Sequence, residues 1–312
     1  ALAGLWLSLF SVITACSSIP VETLTTYADA FTQARDAGDL LLDEISPIVS
    51  GTNSSTRTAN CGTTRLGYPQ CFDPNIARSE NGARINEDPA IVARRDALSA
   101  VAIYNGMLVD LVEGKNIAEF DNRVDELAGL ATAIAALGIV PSGGLSALIS
   151  PSATYAKDMA QRLGQARANA TVRQSILRSK DDIQELLQAL GDDTPQIYKI
   201  FLRAREIDLV NIRAERRIAE LSSNTQGVAQ ADKKFRATSE SIGEFHESLS
   251  AYVKLLEQTS AALDVLVQAA ETPQVTVANL TRVTVEAEEV RRRSEEFWVA
   301  IRKVRLTAAG GR

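Results

Sequence analysis

The longest regular pattern in the chain lies near its C-terminus. Val228, Ala231, Phe235, Thr238, Ile242, Phe245, Leu249, Tyr252, Leu256, Thr259, Leu263, Leu266 and Ala270 follow one another at spacings of three and four without a slip. Leu280, Val283, Ala287, Val290, Ser294, Phe297, Ile301 and Val304 do the same. Such a stripe keeps apolar groups on one seam of a slightly supercoiled helix. Between the stripes lie Glu271, Thr272 and Pro273, and proline starts a helix well but continues one badly. Two long helices in an antiparallel hairpin are expected, the second entered at Pro273.

Upstream the pattern recurs. Leu24, Tyr27, Phe31, Ala34, Leu41 and Ile45 mark a first helix, weakened where Gly38 takes the seam position and expected to end at Pro47. Ala97, Val101, Tyr104, Leu108 and Leu111 mark a second, entered at Asp88-Pro89 and closed at Gly114. Ile117, Phe120, Val124, Leu127, Ala131 and Ile134 mark a third. A fourth runs from Tyr155 through Met159, Leu163, Val172, Ile176, Ile183 and Leu187 to Gly191. The fifth has Asp193 or Thr194 as a cap ahead of Pro195 and continues through Ile200, Ala204, Ile207, Ala214, Ile218 and Leu221. Asn211 falls on that fifth seam, where an amide fixes register at some cost in stability; local drift of the stripe is the other reading. Helices of roughly 30 to 45 residues would be about 45–65 Å long. The expected fold is all-α: an elongated antiparallel bundle of long, coiled-coil-like helices over 89–307, with 308–312 as a tail.

Composition agrees with this. Apolar residues make up 45% of the 312 and aromatics only 5%, a mix of small and straight side chains that helices favour. The chain could hold one large domain or two small ones. Its 33 basic and 39 acidic residues leave a net charge of −6, finely interspersed. Nucleic-acid binding needs a basic face to replace counterions along the phosphates. The densest basic stretch, Arg203 to Arg217, also holds Glu206, Asp208 and Glu215, so it reads as a solvated, salt-bridged helix face. No nucleic-acid partner is expected.

The first residues change the picture. Residues 2–13 are an apolar run of about the length of a signal peptide's core and too short for a bilayer span. Ile13-Thr14-Ala15-Cys16 follows at once: an aliphatic residue, two small ones, then cysteine. This resembles the lipobox of bacterial lipoproteins. The resemblance implies that 1–15 is a signal peptide and that Cys16 becomes the first mature residue, carrying acyl chains as its membrane anchor. No Met, Lys or Arg precedes the run, so the reading frame is expected to begin further upstream. Ser17 and Ser18 follow the cysteine with no Asp beside it, which favours the outer membrane over the inner. Residues 16–50 would then be anchor and first helix. Cys61 and Cys71 lie in a Gly-, Asn-, Ser- and Thr-rich loop over 51–88. In the oxidising compartment that the resemblance implies, a Cys61–Cys71 disulfide is expected. Closing so short a loop stabilises by about 2–3 kcal/mol.

One stretch stands apart. Between Leu127 and Ala156 there is no charged residue: two apolar arms flank a turn around Gly138, Pro141 and Gly144. Leu130, Ile134, Leu137, Ile139, Val140, Leu145, Leu148 and Ile149 are its candidate membrane-contact residues. The layout, an apolar hairpin between long amphipathic helices, resembles helical pore-forming toxins of the cytolysin type, in architecture alone. Tight packing of small residues inside the bundle is the simpler expectation.

Catalytic patterns are missing. His246 is the sole histidine, expected at a solvent-facing or boundary position, and there is no G-x-S-x-G, H-E-x-x-H, P-loop or G-x-G-x-x-G. The acid pairs Asp181-Asp182, Asp192-Asp193 and Glu295-Glu296 read as first-turn or exposed helix charges, and Glu289 and Arg293 are spaced for a surface pair. No enzyme activity, cofactor or metal is expected. The leading expectation is a lipid-anchored envelope spacer or adaptor that presents helical surfaces to another protein or to itself. A membrane-active protein using 127–156 is the rival, and an envelope hydrolase a weaker third.

Overall fold

The structure, a computed structural model, describes residues 19–58, 88–113, 117–136, 154, 155, 157, 158, 161, 172–272 and 276–310. Its helices are α1 (Val21–Thr58), α2 (Pro89–Glu113), α3 (Ile117–Ala136), α4 (Val172–Asp192), α5 (Thr194–Leu221), α6 (Thr225–Glu271) and α7 (Val277–Gly310). No strand occurs among the described residues. The fold is the expected all-α bundle of long helices.

The 47 residues of α6 make it the axis, about 70 Å long at 1.5 Å per residue. Its expected seam is the buried one from Phe245 to Ala270, and no position of the stripe is exposed. Over 255–270 the buried face widens to include Leu255, Ala262, Val265, Val267 and Ala269. The widening has a plain cause: α4 and α7 both flank this stretch, with Gln184 donating to Ser260 and Gln258 to Glu286. The α7 seam is also as expected, with Val283, Ala287, Val290, Ser294, Phe297, Ile301 and Val304 buried. Its start differs. Thr276 caps α7, its hydroxyl accepting from the Asn279 N–H at 3.2 Å, so the helix begins at Val277 and not at Pro273.

Helix α1 runs antiparallel to α2: Arg95 donates to Asp39 at 3.1 Å and to Asp43 at 2.7 Å, while Tyr104 lies near Tyr27. Asp88 caps α2, accepting from the Ala90 N–H at 2.8 Å. At Gly38, α1 packs close against both α2 and α6. A Cβ there would lie 2.5 Å from Leu98 Cδ1 and 3.3 Å from the Tyr252 hydroxyl. The glycine that weakens the isolated helix thus permits the three-helix approach.

Pro47 does not end α1, contrary to expectation; the helix continues to Thr58. Its ring is on the exposed face, while Ile45, Ser46 and Val49 around it are buried. Packing on both sides of the proline outweighs the one backbone hydrogen bond it removes.

A larger side chain at position 38 should therefore be costly. Gly38→Leu is expected to destabilise by about 1–3 kcal/mol through overpacking, read as a lower urea midpoint. An unchanged midpoint would mean the three helices are not in contact there.

Candidate interaction surface and the joint that positions it

Helices α4 and α5 are nearly one helix, interrupted at Asp193. Pro195 has no N–H to offer the Gly191 carbonyl, and the Thr194 hydroxyl donates to that carbonyl at 2.8 Å. Asp193 occupies the N-cap position of α5, as the sequence suggests, but its side chain makes no capping hydrogen bond. The carboxylate instead accepts from Arg94 Nε at 2.7 Å and from Arg94 Nη2. Both side chains are buried, and Arg94 also donates to the Ala90 carbonyl. Burial pushes the Asp193 carboxyl up, against the pull of the guanidinium. Burial likewise raises Asp39 and Tyr252, both near this joint.

Asp193 is thus neither a cap nor an exposed helix charge, and Asp182 is buried as well. No local signal marks these two, because the Arg94 partner of Asp193 lies 99 residues away in sequence. His246 is exposed, as expected, with its ring edge-on to Tyr198 at 5.4 Å. Glu289 and Arg293 form the expected pair at 3.1 Å.

Beside the joint is a groove of about 650 Å³ against α6. Leu187, Val253 and Leu256 contribute apolar surface, while Gln188, Asp192 and Glu257 contribute polar groups. Across it Gln184 Nε2 donates to Ser260 Oγ at 3.3 Å. Among the described residues no group of three His, Cys, Asp or Glu side chains could hold a metal ion.

Past the joint, Phe201 stacks on Phe245 with centroids 3.8 Å apart and planes at 12°. An aromatic pair of this kind contributes about 0.5–1.5 kcal/mol beyond its buried area, and it sets the rotation of α5 on α6. The inward residues of α5 are then Ile197, Phe201, Ile212 and Ala219, with Arg205 and Asp208 half-buried between them. This corrects the sequence reading of the fifth seam. Ile207, Ala214, Ile218 and Leu221 point away from α6, and Asn211 is exposed with them. Ile207 is 55% exposed, Ile218 67% and Leu221 80%. The apolar count misleads because an ion pair, Arg205 to Asp208 at 3.0 Å, occupies the inner face.

From Glu206 to Gly243 only Ile212, Ala219, Ala231 and Ser241 are buried, so this part of α5 and α6, the arm, packs along a narrow stripe. Ion pairs lace its flank: Arg216 with Asp232 at 2.8 Å and Lys234 with Glu215 at 3.1 Å. They make the Arg203–Arg217 stretch the salt-bridged face expected of it. The tip is compact. Asn224 N–H donates to the Ala219 carbonyl at 2.8 Å and Ser223 N–H to the Glu220 carbonyl at 3.1 Å, a Schellman closure with Ser223 at φ 52°. Asn224 then caps α6, accepting from the Gly227 N–H at 2.9 Å.

The other expected site residues lie mostly elsewhere. Cys16, Cys61, Cys71, Leu137, Ile139, Val140, Leu145, Leu148 and Ile149 fall outside the described residues. Of the apolar stretch, Leu127 is buried and Leu130 packs against the core, while Ile134 belongs to α3. No described helix is long and apolar enough to cross a membrane. No family model, curated protein or solved structure matches this chain.

Removing one partner of the joint's ion pair strands a buried charge, at a cost of about 3–5 kcal/mol. Arg94→Leu and Asp193→Leu are each expected to show that loss in urea unfolding, and the two together to recover most of it. Independent, additive losses in the double variant would show that the two side chains do not depend on each other.

Proposed function

We infer that this is a lipid-anchored helical protein of the bacterial cell envelope, working as a spacer and protein-interaction adaptor. Cys16 is the anchor, with the outer membrane favoured, and the Cys61–Cys71 disulfide belongs to the same oxidising setting. The observation that carries the reading is the arm's outer face, where Ile207, Ile218 and Leu221 share one side of a formed helix and stand in water. Large apolar side chains exposed together on one helix face are the kind of surface that marks interaction sites.

The arm's position supports the same reading. Helix α2 packs along α4, and the start of α1 lies beside the far part of α2 through Tyr27 and Tyr104. Hence Val21 sits at the end of the bundle opposite the arm. With the lipid at Cys16, the base would stay near the bilayer and the arm would hold its apolar face tens of Å from it.

In intact envelopes, crosslinking to the tagged chain should capture a protein species that Ile218→Glu abolishes. Val285→Glu, on an exposed position of α7, should leave it in place. Capture that survives Ile218→Glu would remove the arm from the function. Palmitate incorporation should vanish in Cys16→Ala, and unchanged labelling would remove the anchor.

A further inference from the structure

The outer face of α5 is more than an apolar patch. Ala204, Ile207, Asn211, Ala214, Ile218 and Leu221 keep heptad spacing on a helix that already uses its inner face for α6. Numbered as a coiled coil, Ala204, Asn211 and Ile218 are a positions, and Ile207, Ala214 and Leu221 are d positions. In the last heptad Ile218 stands at a and Leu221 at d, and a β-branched residue at a with leucine at d suits two strands.

Asn211 decides what covers this seam. Against an apolar partner helix its amide would lose water and gain nothing, which is costly. A second copy in parallel register brings the same amide opposite, and the two can bond each other, as single polar a-position residues do in two-stranded coils. The flanking charges choose the direction. In parallel register Arg203, at g, faces Asp208 of the other copy, at e. In an antiparallel heptad register the e positions face one another, and they hold Asp208 and Glu215, so acid meets acid. Arg203 is exposed, and the Asp208 side chain is 47% exposed despite its pair with Arg205.

The geometry points to a parallel homodimer formed through the outer seams of two α5 helices. The assignment rests on the adaptor reading in one respect: two copies anchored in one bilayer point their arms the same way, as parallel pairing requires. The helices are already formed and held by α6, so pairing needs no folding of the seam. The seam is short and contains Ala214, so the dimer is reversible, and tethering to one surface raises its effective concentration.

The test is sedimentation of the full chain carrying Cys16→Ser, across concentrations from about micromolar to hundreds of micromolar, the span in which a short seam should dissociate. A monomer–dimer equilibrium is expected. Ile218→Glu should weaken it at least about tenfold, as burying an unpaired charge does. Asp208→Arg should also weaken it, by setting Arg203 against an arginine, and adding Arg203→Glu should restore it. Far-ultraviolet dichroism should be unchanged in each variant. A wild-type monomer at every concentration overturns the inference, as does a dimer indifferent to Ile218→Glu. Tighter association in Asp208→Arg would show the antiparallel register and overturn the parallel one. If the wild type is monomeric while envelope capture is still lost in Ile218→Glu, the adaptor reading stands and its partner is a different protein.

Discussion

A buried guanidinium must keep a carboxylate beside it, and in this chain the requirement is met across 99 residues of sequence by Arg94 and Asp193. The pair fastens the first turns of α2 to the break between α4 and α5. Close by, Gly38 lets α1, α2 and α6 approach, and Arg95 ties α2 back to Asp39 and Asp43. One cross-section of the bundle therefore carries both a close three-helix approach and a buried ion pair. Net stabilisation by such a pair is small, since desolvation offsets attraction. What it supplies is position: with Asp193 held by Arg94, the direction in which α5 leaves the bundle is set.

From that section the molecule becomes two different things. On one side α6 is surrounded, and a wide face from Leu255 to Ala270 is buried. On the other, α5 and α6 rely on a narrow inner stripe, one stacked aromatic pair and flanking ion pairs. Exposed ion pairs each contribute about 0–1 kcal/mol, so the arm is held mainly by its apolar stripe and its closed tip. Such a stripe leaves most of each helix circumference free for other contacts. That freedom is what a presenting surface needs.

Much of this was legible in the sequence wherever apolar residues alone decide which face is buried. The seams of α1, α6 and α7 are the observed ones, since no charge competes with the stripe. Helix α5 was legible as a helix but not in its rotation. Phe201 and an Arg205–Asp208 pair face inward there, leaving the more regular stripe, with Asn211 in it, facing water. A heptad on a helix says that some partner is intended without saying which. Pro47 would end an isolated helix, but buried residues on both sides of it hold α1 continuous to Thr58. Asp193 fitted the cap pattern by position, while its side chain answered to an arginine that no local window contains.

The base of the bundle, where α1 begins, and the arm's tip lie at opposite ends. Tyr252 and Gly38 are in contact at the middle. The stretches of α6 from Tyr252 to Gln226 and of α1 from Gly38 to Glu22 run in opposite directions and together come to about 65 Å. Glu22 and Gln226 are both exposed and can carry spin labels. A pulsed dipolar measurement between them should give a single distance near that span. A distance of about 15–25 Å, the difference between the two stretches plus the width of a helix pair, would instead put tip and base at the same end.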